Sequence, residues 1–164
     1  GLAVSGMINP GKVLAFLERA GVTVHGRVLD AGCGGGGMPP SLADHADAVI
    51  GIGTGVPPDE YDALEALRRA LGAEFGATRK VTDRGWLPRS RQIGITGRTI
   101  APRLYVSIGA SGKFNHTVGV RAAGTVLAMN PDPDAPIWDA ADVGIVADWR
   151  AAVPLLVERL APLS

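Results

Sequence analysis

The stretch AVIGIGTGVPPDEYDALEALRRALG, residues 48–72, decides the fold, because it joins the pattern of a buried strand to that of an amphipathic helix. Its opening, AVIGIG, is apolar on both faces, which is typical of a parallel strand covered from both sides. Pro57 and Pro58 favour a helix start, and Gly72 suits the residue that follows a helix. The stretch therefore predicts one strand–helix repeat of a parallel sheet. The buried stripe of its helix is predicted at Tyr61, Leu64, Leu67 and Leu71.

The same pattern recurs towards the C-terminus. Further apolar runs of strand character are LYVSIGA (104–110), TVLAMN (125–130) and VGIVAD (143–148), and a last helix is predicted from about 148 to 160. Repeated strand–helix–strand units predict an α/β fold of the Rossmann-like kind: a doubly wound, mostly parallel sheet with helices on both faces, in three layers. Ligands bind beyond the carboxyl ends of the strands in such sheets. We therefore expect functional residues in the loops that follow the strands.

Composition narrows the class of protein. The 164 residues are 46% hydrophobic and 20% charged, with a formal net charge of zero, so no basic surface for nucleic acid or an anionic membrane is expected. Cys33 is the single cysteine, which excludes a disulfide framework or a cysteine-based metal site. No apolar run reaches membrane-spanning length and no signal peptide is recognised, so a cytoplasmic location is expected.

The division of the chain is predicted from a change in pattern. Residues 1–46 are interpreted as an N-terminal extension or linker, with a helix around 10–20 and a strand around 22–30. Residues 47–164 carry the strand–helix repeats and are predicted to form the main domain.

A glycine-rich motif lies in the N-terminal part. RVLDAGCGGGG, residues 27–37, fits G-x-G-x-x-G at Gly32, Gly34 and Gly37, and it resembles the first motif of S-adenosylmethionine-dependent methyltransferases. However, MPP follows where a helix should begin, and the next strand ends in Gly53 where those enzymes present an acid. A flexible loop is therefore the simpler interpretation, and methyl transfer is a remote alternative.

Five stretches from about residue 46 onward match one family in order and spacing. They are VIGIGTG (49–55), GATRKVTDRGWLPRSRQIGITGRTIAPRLY (76–105), IGASGKFNHTVGV (108–120), AMNPDPDAPIWDAADVGIVAD (128–148) and the closing helix. Together they resemble the C-terminal, FAD-binding domain of the electron transfer flavoprotein alpha subunit. The resemblance implies FAD as cofactor, an electron carrier rather than an enzyme, a beta subunit as partner and flavin-dependent dehydrogenases as electron donors.

The resemblance assigns the loop QIGITG, residues 92–97, to the flavin. In the family, the residue matching Thr96 hydrogen-bonds the ring near N5, where electrons enter and leave. Gly94 and Gly97 let the backbone approach a flat ligand, and Thr96 offers a hydroxyl and a backbone N–H. Taken alone, the loop is explained equally well as a surface turn. The residues of this loop expected at the cofactor are Gln92, Ile93, Gly94, Ile95 and Thr96.

Two further loops are assigned to the cofactor by the resemblance. Thr78 keeps the hydroxyl of a family serine, and Arg79 matches an arginine against the flavin, where a fixed positive charge favours the reduced forms. Ser111 is expected to cap a helix whose N–H groups meet a phosphate or the anionic edge of the flavin. His116 matches a histidine near the flavin N1 and C2 carbonyl edge, acting as a donor or an imidazolium. The residues expected from this second loop are Ser111, Gly112, Lys113, Phe114, Asn115 and His116.

The adenosine end of the cofactor is assigned to residues near the ends of two later strands. The family uses the positions of Asn130 and Asp148 there, although plain helix capping is an alternative role for Asp148. Trp149 follows, where the family has a small apolar residue, and it is included in the expected site.

Other departures from the family also fall in the expected site. Thr54 stands where the family has an arginine, and Ile95 and Asn115 stand where it has glutamines. Losing one cationic partner of a pyrophosphate costs about 1–3 kcal/mol. The alternative function is therefore a relative that binds no flavin, or another nucleotide, and acts as an interaction module.

Overall fold

The protein is built on a six-stranded sheet in a computed structural model that describes residues 2–4 and 46–160. The strands are β1 (Leu2–Val4), β2 (Ala48–Ile52), β3 (Glu74–Ala77), β4 (Leu104–Ile108), β5 (Thr125–Asn130) and β6 (Val143–Val146). Their order in the sheet is β1-β6-β5-β4-β2-β3, and every neighbouring pair is parallel. The predicted Rossmann-like α/β fold is confirmed. The sequence pattern did not predict β1, which adds an edge to the sheet beside β6.

Four α-helices connect or follow the strands in the described part of the chain. They are α1 (Asp62–Leu71), α2 (Arg79–Asp83), α3 (Phe114–Thr117) and α4 (Trp149–Leu160). Short 3₁₀ helices lie at Pro58–Glu60, Arg89–Arg91, Val118–Val120 and Pro136–Ala140. The longer helices α1 and α4 match the predicted ones.

The ends of α1 follow the predicted signals with one difference. The two prolines start a 3₁₀ turn at Pro58–Glu60, and the α-helix begins only at Asp62. Gly72 ends the helix with φ +58°, a left-handed conformation that glycine adopts without strain. Leu64, Leu67 and Leu71 are buried as predicted, whereas Tyr61 is half-buried.

The two faces of the sheet are covered differently. On one face, α1 and α4 pack against side chains such as Ile50, Val106 and Met129. On the other face, Tyr105 and Val126 pack against a loop and a 3₁₀ turn, through residues such as Ile93, Ile100 and Val120. Pro88, Gly85, Gly94, Gly97 and Pro102 lie between β3 and β4 and prevent a long helix there.

All strands are parallel, but the side on which the next strand is added to the sheet changes between β2 and β4. From β2 the chain moves outward to β3, then crosses back to β4 on the other side of β2 and continues to β5 and β6. The carboxyl ends of β2 and β4 are held together there, since the N–H of Gly55 donates to the carbonyl oxygen of Gly109 at 3.0 Å. Such a switch point leaves a crevice beyond the strand ends, which is where doubly wound sheets bind ligands.

The expectations for the N-terminal part mostly lie outside the described residues. These are the helix around 10–20, the strand around 22–30 and the glycine motif of residues 27–37. The division at residue 46 stays a prediction. Within residues 2–4 and 46–160, no helix is long and apolar enough to cross a membrane, and the cytoplasmic location also stays a prediction.

Candidate cofactor site

A cavity of about 340 Å³ opens at the carboxyl ends of β2, β3 and β4, at the switch point of the sheet. It brings together three segments that are distant in sequence: the turn after β2, the start of α2 with the loop that follows it, and the loop after β4. Its lining consists of Thr54, Thr78, Arg79, Lys80, Ile93, Ile95, Thr96, Ala110, Ser111, Gly112, Lys113, Asn115 and His116. Most residues expected at the flavin end of a cofactor therefore share one cavity.

The expected flavin loop is a tight turn at the cavity rim. The N–H of Gly97 donates to the carbonyl oxygen of Gly94 at 2.9 Å, which places Ile95 and Thr96 at the exposed tip. The N–H of Ile95 donates to the carbonyl oxygen of Asn115 at 2.8 Å, so the turn is tied to the loop after β4. The N–H of Thr96 has no acceptor among the residues that the structure describes. A ligand acceptor at this tip would satisfy it.

Gly94 is required at the base of this turn. Its φ is +122°, which side chains of L residues rarely adopt, and a Cβ placed there would lie 2.1 Å from the carbonyl oxygen of Asn115. The glycine thus lets two cavity loops meet backbone to backbone.

Gln92 lies behind the cavity wall rather than on its lining. Its side chain is 1% exposed and joins Thr82 on α2 to Thr96 on the turn. The resemblance expected Gln92 at the cofactor. In the structure the side chain contacts the residue that lines the cavity, and contact with a cofactor stays a prediction.

His116 is buried, and both of its ring nitrogens have partners inside the protein. Nε2 lies 2.6 Å from the Tyr105 hydroxyl, and Nδ1 lies 3.2 Å from the carbonyl oxygen of Ile93. A neutral ring satisfies both contacts, with Nδ1–H donating to Ile93 and Nε2 accepting from Tyr105. Burial lowers the pKa of His116 below its ordinary value of 6.5, so the expected imidazolium is disfavoured. A bond from His116 to a cofactor would replace one of these contacts.

The low pKa of His116 predicts a pH-dependent stability. In the unfolded chain the imidazole takes up a proton as the pH falls through about 6.5, while the folded protein resists protonation until lower pH. The free energy of unfolding is therefore expected to fall as the pH falls below about 6.5. Urea unfolding at about pH 7.5 and about pH 5.5 measures the loss. The loss should be smaller in His116→Gln, which keeps the carboxylates that titrate in both proteins, and equal losses would contradict the prediction.

The charge of the cavity lining is positive. Arg79, Lys80 and Lys113 contribute side chains, and none of the described lining residues is acidic. Arg79 Nε lies 3.2 Å from a carboxylate oxygen of Asp83, but this ion pair is exposed and its arginine side chain is 60% accessible. Exposed pairs of this kind contribute little energy, so the guanidinium can rearrange towards an anionic ligand. The cavity therefore favours an anion.

The loop after β4 differs from the expectation in its capping. The helix α3 begins at Phe114 with Lys113 as its N-cap residue, so Ser111 does not cap it and the sequence prediction was wrong on this point. Gly112 between them has φ +78°, and a Cβ there would lie 2.1 Å from the Cα of Ile137. This close approach turns the chain before the helix and leaves the Ser111 side chain on the cavity lining instead.

Phe114 does not line the cavity at the switch point and faces a second cavity, which Gly112 of the same loop also lines. Its ring lies 5.2 Å from the guanidinium carbon of Arg121, and both line a second cavity of about 560 Å³. The expectation of Phe114 at the cofactor is not supported by this placement and stays a prediction.

None of the three residues expected at the adenosine end lines the cavity, and two of them, Asn130 and Trp149, support loops beside it. Asn130 Nδ2 donates to the carbonyl oxygen of Ala110 at 3.0 Å, and the Trp149 indole N–H donates to that of Gly55 at 3.1 Å. Asp148 accepts the N–H of Arg150 at 2.9 Å and thereby caps α4, which confirms the capping alternative. Contact of these side chains with adenosine stays a prediction.

Sequence reasoning missed four residues that shape the site. Lys80 and Ala110 line the cavity, while Thr82 and Tyr105 hold other side chains from behind. Tyr105 carried a usable signal, because a tyrosine in the middle of a buried strand needs a hydrogen-bond partner for its hydroxyl. Lys80 carried no comparable signal, because the resemblance assigned a role only to the preceding residue, Arg79.

Residues 42–121 match the model of a family described as the electron transfer flavoprotein FAD-binding domain. Every residue that lines the 340 Å³ cavity lies within this range.

Individual proteins are similar over a longer part of the chain. The chain is 39% identical over 122 residues to the electron transfer flavoprotein subunit alpha of Thermoanaerobacterium thermosaccharolyticum, covering 74% of this chain and 37% of that protein. It is 44% identical over 116 residues to Protein FixB of Rhizobium meliloti, with 70% and 33% covered. It is 43% identical over 122 residues to a probable mitochondrial electron transfer flavoprotein subunit alpha of Cryptococcus neoformans, with 74% and 35% covered. The chain thus spans about a third of the length of the curated relatives it matches.

Proposed function

The chain belongs, through residues 42–121, to the family of electron transfer flavoprotein alpha-subunit FAD-binding domains, and from this premise we propose that it binds FAD and carries single electrons between a flavin-dependent dehydrogenase and an acceptor. It acts as an electron carrier rather than an enzyme and works beside a beta subunit of the same family. When bound, the flavin supplies the redox chemistry.

The observation that carries the proposal is the composition of the cavity at the switch point. Its lining combines hydroxyl groups, cationic side chains and apolar side chains, which are the groups that a dinucleotide with a flat ring system requires. The residues present therefore fit FAD. The hydroxyl groups belong to Thr54, Thr78, Thr96 and Ser111, the positive charges to Arg79, Lys80 and Lys113, and the aliphatic walls to Ile93 and Ile95.

Each group has a distinct task in this proposal. Arg79 holds a positive charge at the cavity and stabilises the more negative forms of the ligand. Lys113 and Lys80 supply positive charge to a cavity in which Thr54 stands at the position of the family arginine, and so compensate for that loss. Ile95, whose side chain is 58% exposed, covers one side of a flat ligand and excludes water from it.

An interaction module without flavin is the weaker alternative. Thr54 and Ile95 favour it, but the cavity keeps Arg79 and Thr96 at its lining and keeps Gly94 under the turn. Exposed polar side chains such as Arg79 and Thr96 on the lining of one cavity favour binding of a small ligand over binding of another protein alone.

Electron transfer with partners tests the proposal. The protein, loaded with FAD and mixed with a beta subunit of the family, is expected to have its flavin reduced by a flavin-dependent dehydrogenase and reoxidised by an electron acceptor. The change in flavin absorbance records both steps. Bound flavin that no such dehydrogenase reduces would contradict the carrier function and favour the interaction module.

A further inference from the structure

A chain of hydrogen bonds runs from α2 to the tip of the cavity turn. The Thr82 hydroxyl lies 3.0 Å from the carbonyl oxygen of Arg79 and 2.7 Å from Gln92 Oε1. At the other end of the amide, Gln92 Nε2 lies 2.8 Å from Thr96 Oγ1. Gln92 is fully enclosed, whereas Thr96 lines the cavity. The buried amide therefore connects the inside of the domain to a hydroxyl at the cavity.

The oxygen and the NH₂ group of an amide differ in hydrogen bonding. This difference decides whether the Thr96 hydroxyl presents a hydrogen-bond donor or only an acceptor to the cavity. The NH₂ group only donates and the carbonyl oxygen only accepts, while a hydroxyl has a single hydrogen. Because Gln92 Nε2 donates to Thr96 Oγ1, the hydroxyl hydrogen of Thr96 has no acceptor among residues 2–4 and 46–160 and is free to point into the cavity. If the amide were turned round, Thr96 would donate to Gln92 and present only a lone pair.

The distances favour the first arrangement. The 2.7 Å between Thr82 Oγ1 and the facing atom of Gln92 is the usual length of an O–H···O bond and is short for N–H···O. Thr82 has a single hydroxyl hydrogen, and the amide oxygen at 2.7 Å takes it in preference to the carbonyl oxygen of Arg79 at 3.0 Å. This arrangement fixes the NH₂ group of Gln92 on the Thr96 side. Gly97 leaves room for the Gln92 side chain, since a Cβ there would lie 2.9 Å from Cγ of Gln92.

We propose that Gln92, held by Thr82, is a positioning residue that makes the Thr96 hydroxyl a hydrogen-bond donor towards the ligand. This inference rests on the proposed function for its ligand, FAD. A donor at an acceptor atom of the ligand stabilises the form that carries more negative charge there, so the arrangement raises the reduction potential of the bound cofactor.

The direction of the hydrogen bonds between Gln92 and the two threonines can be measured without any cofactor. In protein labelled with ¹⁵N at glutamine, Thr96→Val removes the acceptor of the Gln92 NH₂ group and is expected to move its proton resonances upfield. Thr82→Val removes only a partner of the amide oxygen and is expected to move them much less. Both variants replace threonine by a residue of nearly the same shape. A larger shift in Thr82→Val than in Thr96→Val would overturn the proposal.

The consequence for the cofactor is measured with FAD bound. At alkaline pH, Gln92→Glu places a carboxylate that accepts hydrogen bonds from both threonines, so the Thr96 hydrogen turns inward and the reduction potential is expected to fall. The charge of the carboxylate also lowers the potential, and Thr96→Val separates the two effects because it removes the hydroxyl but not the charge. The fall in reduction potential caused by Gln92→Glu should be smaller in protein that also carries Thr96→Val than in protein with native Thr96. Equal falls would overturn the proposal.

The two measurements separate this inference from the proposed function. Failure of the native protein to bind FAD would count against the proposed function. The proton resonances of the Gln92 amide would still decide the direction of its hydrogen bonds. Binding of FAD combined with equal falls in potential would leave the function intact and contradict the role of Gln92.

Discussion

Replacing Gly94 with alanine is expected to lower the free energy of unfolding by about 2–5 kcal/mol and to abolish the retention of FAD. The φ of +122° is unfavourable for alanine, and its Cβ would lie 2.1 Å from the carbonyl oxygen of Asn115. Backbone cannot move aside as a flexible side chain does. The turn must therefore separate from the loop after β4, and the two loops that form the cavity lose their relative position.

Gly85→Ala is the matched control for this variant. Gly85 also has a positive φ, +71°, but a Cβ there would meet nothing within 4 Å. Its substitution is expected to cost about 1–2 kcal/mol and to leave FAD binding unchanged. Urea unfolding and the flavin absorbance after desalting measure both effects. If Gly94→Ala lowered the free energy of unfolding and the retention of FAD no more than Gly85→Ala does, the prediction would be contradicted. The close contact of the two loops would then not matter to the site.

Replacing Arg79 with glutamine is expected to weaken FAD binding about 5- to 150-fold, which corresponds to about 1–3 kcal/mol for a lost charge-assisted contact. The reduction potential should fall too, because a positive charge at the cavity stabilises the reduced forms more than the oxidised one. For one electron, each tenfold loss of this preference lowers the potential by about 59 mV. Fluorescence titration and a spectroelectrochemical titration measure the two effects.

Arg89→Gln is the matched control, because Arg89 pairs with the same aspartate. Arg79 and Arg89 each lie 3.2 Å from an oxygen of Asp83, yet only Arg79 lines the cavity. Both substitutions remove one positive charge and one exposed ion pair. A change in affinity and potential confined to Arg79→Gln would assign the effect to the cavity, whereas equal changes would reduce it to the net charge of the protein.

The periodic parts of the fold could be predicted because each depends on a short stretch of chain. The run AVIGIG is apolar on both faces and forms β2, and the leucines of α1 repeat at the spacing of one buried face. Gly72 terminates α1 by local backbone geometry alone. The covering of the second face could not be predicted in this way, because the loop around Ile93 and Ile100 packs through tertiary contacts rather than through a repeat.

The candidate site was predictable as a set of loops but not as a set of contacts. Thr96 and Arg79 could be assigned by resemblance, since loops that follow parallel strands converge at one edge of the sheet. The partners behind them are separated along the chain: Thr82 lies ten residues from Gln92, and Tyr105 lies eleven from His116. No local pattern predicts such pairs. The neutral state of His116 follows from its burial, which only the folded structure reveals.

The visible absorbance spectrum of the purified protein, recorded after incubation with FAD and desalting, tests the central claim most directly. The claim is that the cavity lined by Arg79, Thr96 and Lys113 binds FAD. The measurement is made with the protein alone and with a beta subunit of the family present. We expect retained flavin absorbance in at least one of these samples, and its loss when Gly94→Ala replaces the native protein there. Absence of flavin from the native protein in both samples would contradict the claim.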